Sequence, residues 1–141
     1  MSAKVSISAS GTSNPTVSEL QKANKLIRQA IRDAGLPIVI PYIPFDQLTF
    51  GAFSDAAWAV RPDGSSQGGL LIFSASRDLI DGKLSPMGII DWRSWKLQRK
   101  VRSSLAAESQ AMADVVDLLN FTRLFVADII CHESIDLRKA E

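Results

Sequence analysis

Two carboxylates in the sequence occupy positions where an acidic side chain is unusual. Asp55 follows an apolar run that ends at Phe53, although aspartate is depleted within strands. Glu108 lies near the start of a long helical pattern, on the side expected to face the core, where a lone carboxylate is costly to desolvate. Together they suggest an oxygen-rich site for Mg²⁺ or Mn²⁺. Taken singly, Asp55 also suits a bulge or a strand end, and Glu108 also suits the positive end of the helix dipole.

The third chemical feature is a run of basic residues between these two carboxylates. The segment 92–102 (WRSWKLQRKVR) contains no acidic residue, and its cations are interleaved with Trp92 and Trp95. Lys and Arg neutralise phosphates, and aromatic rings pack against sugars or bases, so the segment is a candidate nucleic-acid-binding surface. The alternative is a solvated loop whose tryptophans lie in the core. The candidate binding residues are Arg93, Lys96, Arg99, Lys100 and Arg102.

The elements that must position these residues begin with a helix and a sheet. Thr16 and Glu19 have the spacing of a capping box and predict an amphipathic helix over 17–34, with a solvated basic face. Three prolines punctuate 36–45, which predicts an edge strand or an extended connector. Three antiparallel strands joined by short turns are then expected, over 48–59, 69–74 and 87–92.

A long helix completes the predicted α+β fold, and we expect it to pack on one face of the sheet. It is predicted over 105–130, directly after two serines that suit an N-cap. One stripe of the helix repeats at helical spacing and is expected to face the sheet. The stripe consists of Glu108, Met112, Val115, Leu119 and Val126.

Composition narrows the functional classes without choosing among them. The 141 residues suit one domain, and a net charge of +1 means that any nucleic-acid affinity must come from a local patch. The single cysteine, Cys131, excludes an internal disulfide framework and a cysteine-rich zinc site. We find no apolar run of membrane-helix length and no secretory signal, so an intracellular protein is expected, cytoplasmic by default.

The order and spacing of these segments resemble the ribonuclease-H-like domain of copia-type LTR retrotransposon Pol polyproteins. Residues 53–59 (FSDAAWA) resemble the Ser-Asp-Ala-x-Trp-Ala signature that opens that domain, and a Ser/Gly-rich turn follows. A Trp-x-Ser-x-Lys segment comes next at 92–96, and Ser-Ser-x-x-Ala-Glu at 103–108. The agreement covers roughly residues 50–130, and the preceding helix resembles the link from the reverse transcriptase.

This resemblance implies a two-metal nuclease that hydrolyses the RNA strand of RNA–DNA hybrids during reverse transcription, with a reverse transcriptase domain as partner. It maps the family's first acidic ligand onto Asp55 and its helix glutamate onto Glu108, with Mg²⁺ or Mn²⁺ as cofactor. The basic segment would hold backbone phosphates. The implied organisation is a flexible arm over 1–14, a helix and connector over 15–47, and a partial ribonuclease-H-like domain over 48–141.

The chain also departs from the family pattern, which continues past the long helix into a strand with a third ligand aspartate. The sequence reaches Glu141 without such a strand, Asp136 is a weak substitute, and Ala57 stands where the family often has another aspartate. We therefore expect missing C-terminal strands, an aggregation-prone sheet edge, weak metal binding and little or no activity from this chain alone. A non-catalytic nucleic-acid-binding module and an inert retroelement remnant are the alternatives.

Overall fold

The computed structural model describes residues 2–10 and 15–131. The expected α+β class is confirmed, with a three-stranded antiparallel sheet and a long C-terminal helix. The structure adds one short N-terminal helix, in a stretch for which the sequence predicts no element. In chain order the elements are α1 (Ser2–Ala9), α2 (Val17–Asp33), β1 (Leu48–Ala57), β2 (Gln67–Ser76), β3 (Met87–Lys96) and α3 (Ser104–Cys131).

The three strands pair in chain order, β1 with β2 and β2 with β3, as the predicted meander requires. The turn after β1 contains Gly64 at φ 72°, a left-handed conformation that favours glycine, and the Asp63 side chain accepts a hydrogen bond from the Ser65 backbone N–H at 3.1 Å. β1 ends two residues earlier than expected, and Ala59 beyond it takes a φ of 50°. β2 and β3 both extend further than their apolar runs indicate.

α3 packs on one face of the sheet through small side chains. Val115 packs with Leu70 and Ile72 of β2, and Ala107 and Ala111 pack with Leu97, just after β3. The alanines bring the helix backbone close to the sheet. The predicted stripe is therefore correct at Val115 but wrong at Met112, which is 57% exposed, because the helix is rotated toward its alanines.

α2 begins at the predicted capping box. The Thr16 Oγ1 accepts a hydrogen bond from the Glu19 backbone N–H at 3.3 Å, and Glu19 Oε2 accepts one from the Thr16 backbone N–H at 2.7 Å. No residue of α2 is buried, however, and the apolar face that the sequence predicts includes the exposed Ile27. The amphipathic pattern thus correctly predicts the helix, but its apolar face stays at the surface beside α1.

The segment between α2 and β1 is an extended connector, and the edge-strand alternative for it is wrong. It passes close to β3, since a Cβ added at Gly88 would lie 2.9 Å from Pro41 Cδ. The predictions about Asp136 and about missing C-terminal strands concern residues after 131, outside the described part of the chain. Within the described ranges, no helix combines the length and the apolar character needed to cross a membrane.

Candidate functional site

Asp55 lies in a regular part of β1. Its Cα partner is Gly69, and the pairing is unbroken from Leu48 to Ala57, so neither a bulge nor a strand end accounts for it. The side chain is exposed, and it shares a sheet face with Phe53 because side chains two residues apart point the same way. Its carboxylate forms no hydrogen bond or ion pair with another described residue.

Glu108 lies in the second turn of α3. The N-terminus of this helix is capped by Ser103, whose Oγ accepts a hydrogen bond from the Ala106 backbone N–H at 3.2 Å. It is half-buried, and it is seven residues before the buried Val115, a spacing that puts both side chains on one side of the helix. The expectation that Glu108 faces the sheet is therefore met. Among the described residues, its carboxylate has no hydrogen-bond or ion-pair partner.

The structure does not bring Asp55 and Glu108 together. α3 covers the face of β1 that carries Ala52 and Ala56, each of which packs in a core cluster with α3 residues. Because side chains alternate along a strand, Asp55 projects from the opposite face. Residues 2–10 and 15–131 contain no group of three or more His, Cys, Asp or Glu side chains placed to hold a metal ion. This arrangement does not fit a shared Mg²⁺ or Mn²⁺ site.

Three of the five candidate cations have partners within the protein. Arg93 lies 3.8 Å from the carboxylate of Asp91. Lys96 forms an ion pair with Asp63 at 2.5 Å, and Lys100 Nζ donates to the Asp63 carbonyl oxygen at 2.8 Å. Lys96 first, and then the Ser65 hydroxyl and N–H, hold the pKa of Asp63 well below its usual range. Lys96 and Lys100 therefore attach their segment to the turn after β1.

The remaining two cations, Arg99 and Arg102, lie in the β3–α3 loop, defined here as residues 97–103. Both are exposed, and neither forms a hydrogen bond or ion pair with the residues that the structure describes. The loop is anchored at Leu97, which is fully buried and whose N–H donates to the Ser66 carbonyl at 3.0 Å. Trp58 Nε1 donates to the Val101 carbonyl at 3.0 Å, so a half-exposed indole lies against the same loop.

The two tryptophans of the basic segment have different environments. Trp95 packs against both core clusters, and its Nε1 donates to Asp114 Oδ2 at 3.0 Å. Trp92 is 52% exposed on the opposite face of the sheet. The core alternative is thus correct for Trp95 and wrong for Trp92. The role of Trp58 at the loop was not predicted, because its contact with Val101 spans 43 residues of sequence.

Two separated features therefore stand out. One is the β3–α3 loop, whose two arginines have no partner among the described residues, and the other is a pair of carboxylates on opposite sides of the sheet. No family model, curated protein or solved structure matches the chain. The resemblance to copia-type domains is therefore one of sequence segments alone, at 53–59, 92–96 and 103–108.

Proposed function

We propose that this chain is part of a ribonuclease-H-like domain of a copia-type retrotransposon polyprotein, and that it binds RNA–DNA hybrids without cleaving them. The order of β1, β2, β3 and α3 supports the family, because the resemblance implies a signature strand, a second strand and then a helix that carries the glutamate. The proposed lack of cleavage is supported by one observation, the position of Asp55 and Glu108 on opposite sides of the sheet.

The chemistry of the family requires its carboxylates on one side of the sheet. Two cations held between acidic ligands activate the attacking water and stabilise the leaving oxygen of the phosphodiester. Mg²⁺ binds its oxygen ligands at about 2.0–2.1 Å, so one ion cannot be shared by carboxylates that project from opposite faces. No hydrolytic step follows from Asp55 and Glu108 in this arrangement.

A cleavage assay tests this absence of hydrolysis. With Mg²⁺ or Mn²⁺, the chain is expected to leave the RNA strand of a labelled RNA–DNA hybrid intact. The variants Asp55→Asn and Glu108→Gln are expected to leave it intact as well. Denaturing gels run against a protein-free sample measure any product. Cleavage by the parent chain that either substitution abolishes would show that the two carboxylates act together, contrary to the proposal.

We assign hybrid binding to the β3–α3 loop. Arg99 and Arg102 are exposed and have no internal partner among the described residues, so phosphate contacts cost them no ion pair. Trp58 adds an aromatic surface that is half-exposed and fixed by its hydrogen bond to the loop. Because the whole chain carries a net charge of only +1, binding of a polyanion depends on this local patch.

Charge reversal tests the loop. The double substitution Arg99→Glu with Arg102→Glu is expected to weaken hybrid binding at least tenfold at low salt. It is also expected to reduce the slope of log affinity against log salt by about 2, since each phosphate contact contributes about 0.9. Fluorescence anisotropy of a labelled hybrid at several salt concentrations measures both quantities.

The matched control reverses two exposed cations on the basic face of α2, Lys25→Glu with Arg32→Glu, which change the net charge equally. These substitutions are expected to leave affinity within about twofold after the same salt correction. An equal loss from both pairs would mean that affinity follows net charge and not the loop. Absence of saturable binding by the parent chain would favour the inert-remnant alternative.

A further inference from the structure

A cavity of about 320 Å³ lies between α1, the first turns of α2 and the turn after β1. Five of the nine residues that line it are charged. They are Lys22, Arg61, Lys96, Glu19 and Asp63, and Ser8 lies beside them. Its volume falls at the lower end of the range of small-ligand pockets.

Both carboxylates of this cavity are already engaged. Asp63 accepts from Lys96 Nζ at 2.5 Å and from the Ser65 hydroxyl at 2.5 Å. Glu19 accepts from the Thr16 N–H at 2.7 Å and from its hydroxyl at 3.0 Å, and these two bonds, with the charge of Lys22, hold the pKa of Glu19 below its usual value. Neither carboxylate forms an ion pair with Arg61.

Arg61 is the charge that remains unmatched. Its residue is 5% exposed, and its Nη1 donates to the neutral Gln67 Oε1. No carboxylate of the described residues lies within ion-pair distance of its guanidinium, and a guanidinium does not lose its proton in proteins. None of its nitrogens is both fully buried and without a hydrogen-bond partner, so those not bonded to Gln67 keep some solvent exposure, and the residue lines the cavity. A buried cation of this kind is costly unless an anion accompanies it.

We propose that this cavity binds a phosphate group. The planar fork of Arg61 matches two oxygens of a tetrahedral oxyanion, and Lys22 supplies a second positive charge for a dianion. Ser8 lines the same space and carries a hydroxyl, a group that can donate to a third oxygen. The site goes beyond hybrid binding by the β3–α3 loop, because Arg99 and Arg102 do not line the cavity.

Titration of the full chain with inorganic phosphate at constant ionic strength tests the site. NMR signals of the Arg61 side-chain N–H and of the Ser65 and Gln67 amides are expected to shift saturably, and chloride is expected not to shift them. Arg61→Lys keeps the charge but loses the fork, and is expected to weaken phosphate binding at least tenfold. Since Arg61 is buried, its variant must first show the parent circular dichroism spectrum.

Lys22→Gln is a second test variant. The Lys22 side chain is exposed and outside any core, so the substitution is expected to weaken phosphate binding several-fold without unfolding the chain. Lys25→Gln is the matched control, an exposed α2 lysine that does not line the cavity, and is expected to bind as the parent does. Equal loss in both lysine variants, no saturable shift, or acetate binding as tightly as phosphate would each overturn the proposal.

Short hybrids with and without a 5′-phosphate then identify the source of the group. Tighter binding of the phosphorylated hybrid that is lost in Lys22→Gln would assign the cavity to a strand end. Equal binding of the two hybrids, with inorganic phosphate still saturating the Arg61 signals, would assign it to a free phosphate or a small phosphate ester. Either result supports a phosphate site, and neither depends on the affinity of the β3–α3 loop.

Discussion

Truncating Leu97 to alanine is expected to lower the free energy of unfolding by about 2–5 kcal/mol, the range for a fully buried leucine. The side chain has no exposed surface, and it packs on Ala107 and Ala111 of α3. These alanines are too small to fill the space that the substitution leaves. The backbone bond from the Leu97 N–H to the Ser66 carbonyl at 3.0 Å also keeps the strand end from moving inward, so little of the cavity can close.

Urea denaturation followed by circular dichroism measures the loss at Leu97. The control is Leu84→Ala, the same chemical change at a fully exposed side chain in the loop before β3, for which a change within about 0.5 kcal/mol is expected. Equal midpoints for the two variants would contradict the assignment of Leu97 to the core.

The substitution Gly51→Ala adds a single methyl group and is also expected to have a large effect. It is expected to lower the free energy of unfolding by about 1–3 kcal/mol, because it overpacks the sheet face. A Cβ at this position would lie 2.4 Å from Cζ of Phe73, closer than real Cβ contacts allow. The Phe73 ring cannot easily retreat, because it is 5% exposed and stacks on Phe53 with the ring centroids 5.2 Å apart.

Gly69→Ala is the matched control for Gly51→Ala. The two glycines share a sheet face, but a Cβ at Gly69 would meet its nearest atom, the Asp55 carbonyl oxygen, at an ordinary 3.9 Å. The control is expected to be neutral or slightly stabilising, since alanine has less backbone freedom to lose than glycine. Combining Gly51→Ala with Phe73→Leu is expected to recover part of the loss, and strictly additive losses in that double-mutant cycle would argue against the clash.

The features that the sequence predicts well are local ones. The capping box depends on Thr16 and Glu19, three residues apart, and the turn after β1 depends on Asp63, Gly64 and Ser65. In each case the side chain satisfies a backbone group of a close neighbour, so the interaction forms in any context that leaves the segment at the surface. The meander follows from such turns placed between short apolar runs.

The face of β1 that α3 covers could not be predicted in the same way. Both faces of the strand carry a large apolar side chain, with Phe53 on one and Phe50, beside Ala52 and Ala56, on the other. Side-chain size therefore does not decide which face the helix covers. The helix packs on the face with the alanines, where small residues on both surfaces allow a close approach, and this complementarity is visible only when the two elements are assembled.

Charge pairing is the other part of the candidate site that sequence could not show. Lys96 and Asp63 are 33 residues apart, and the bond between them removes one cation from the predicted nucleic-acid surface. Arg61 resembles any charged turn residue in the sequence, and its burial depends on how α1 and α2 pack near the turn. Long-range contacts of this kind depend on the finished sheet.

The strand order also has a consequence for how the chain folds. Each strand pairs only with its neighbours along the chain, and the pairing starts where Ala57 meets Gln67 and where Ala75 meets Met87. Closing such short loops costs little chain entropy, which favours early formation of the sheet. The bond from Gln67 Nε2 to Ser6 Oγ, 3.2 Å long, joins residues 61 positions apart and can form only after that sheet exists. α1 is therefore expected to dock only after the sheet has formed, and it can detach without breaking the sheet when the native state opens locally.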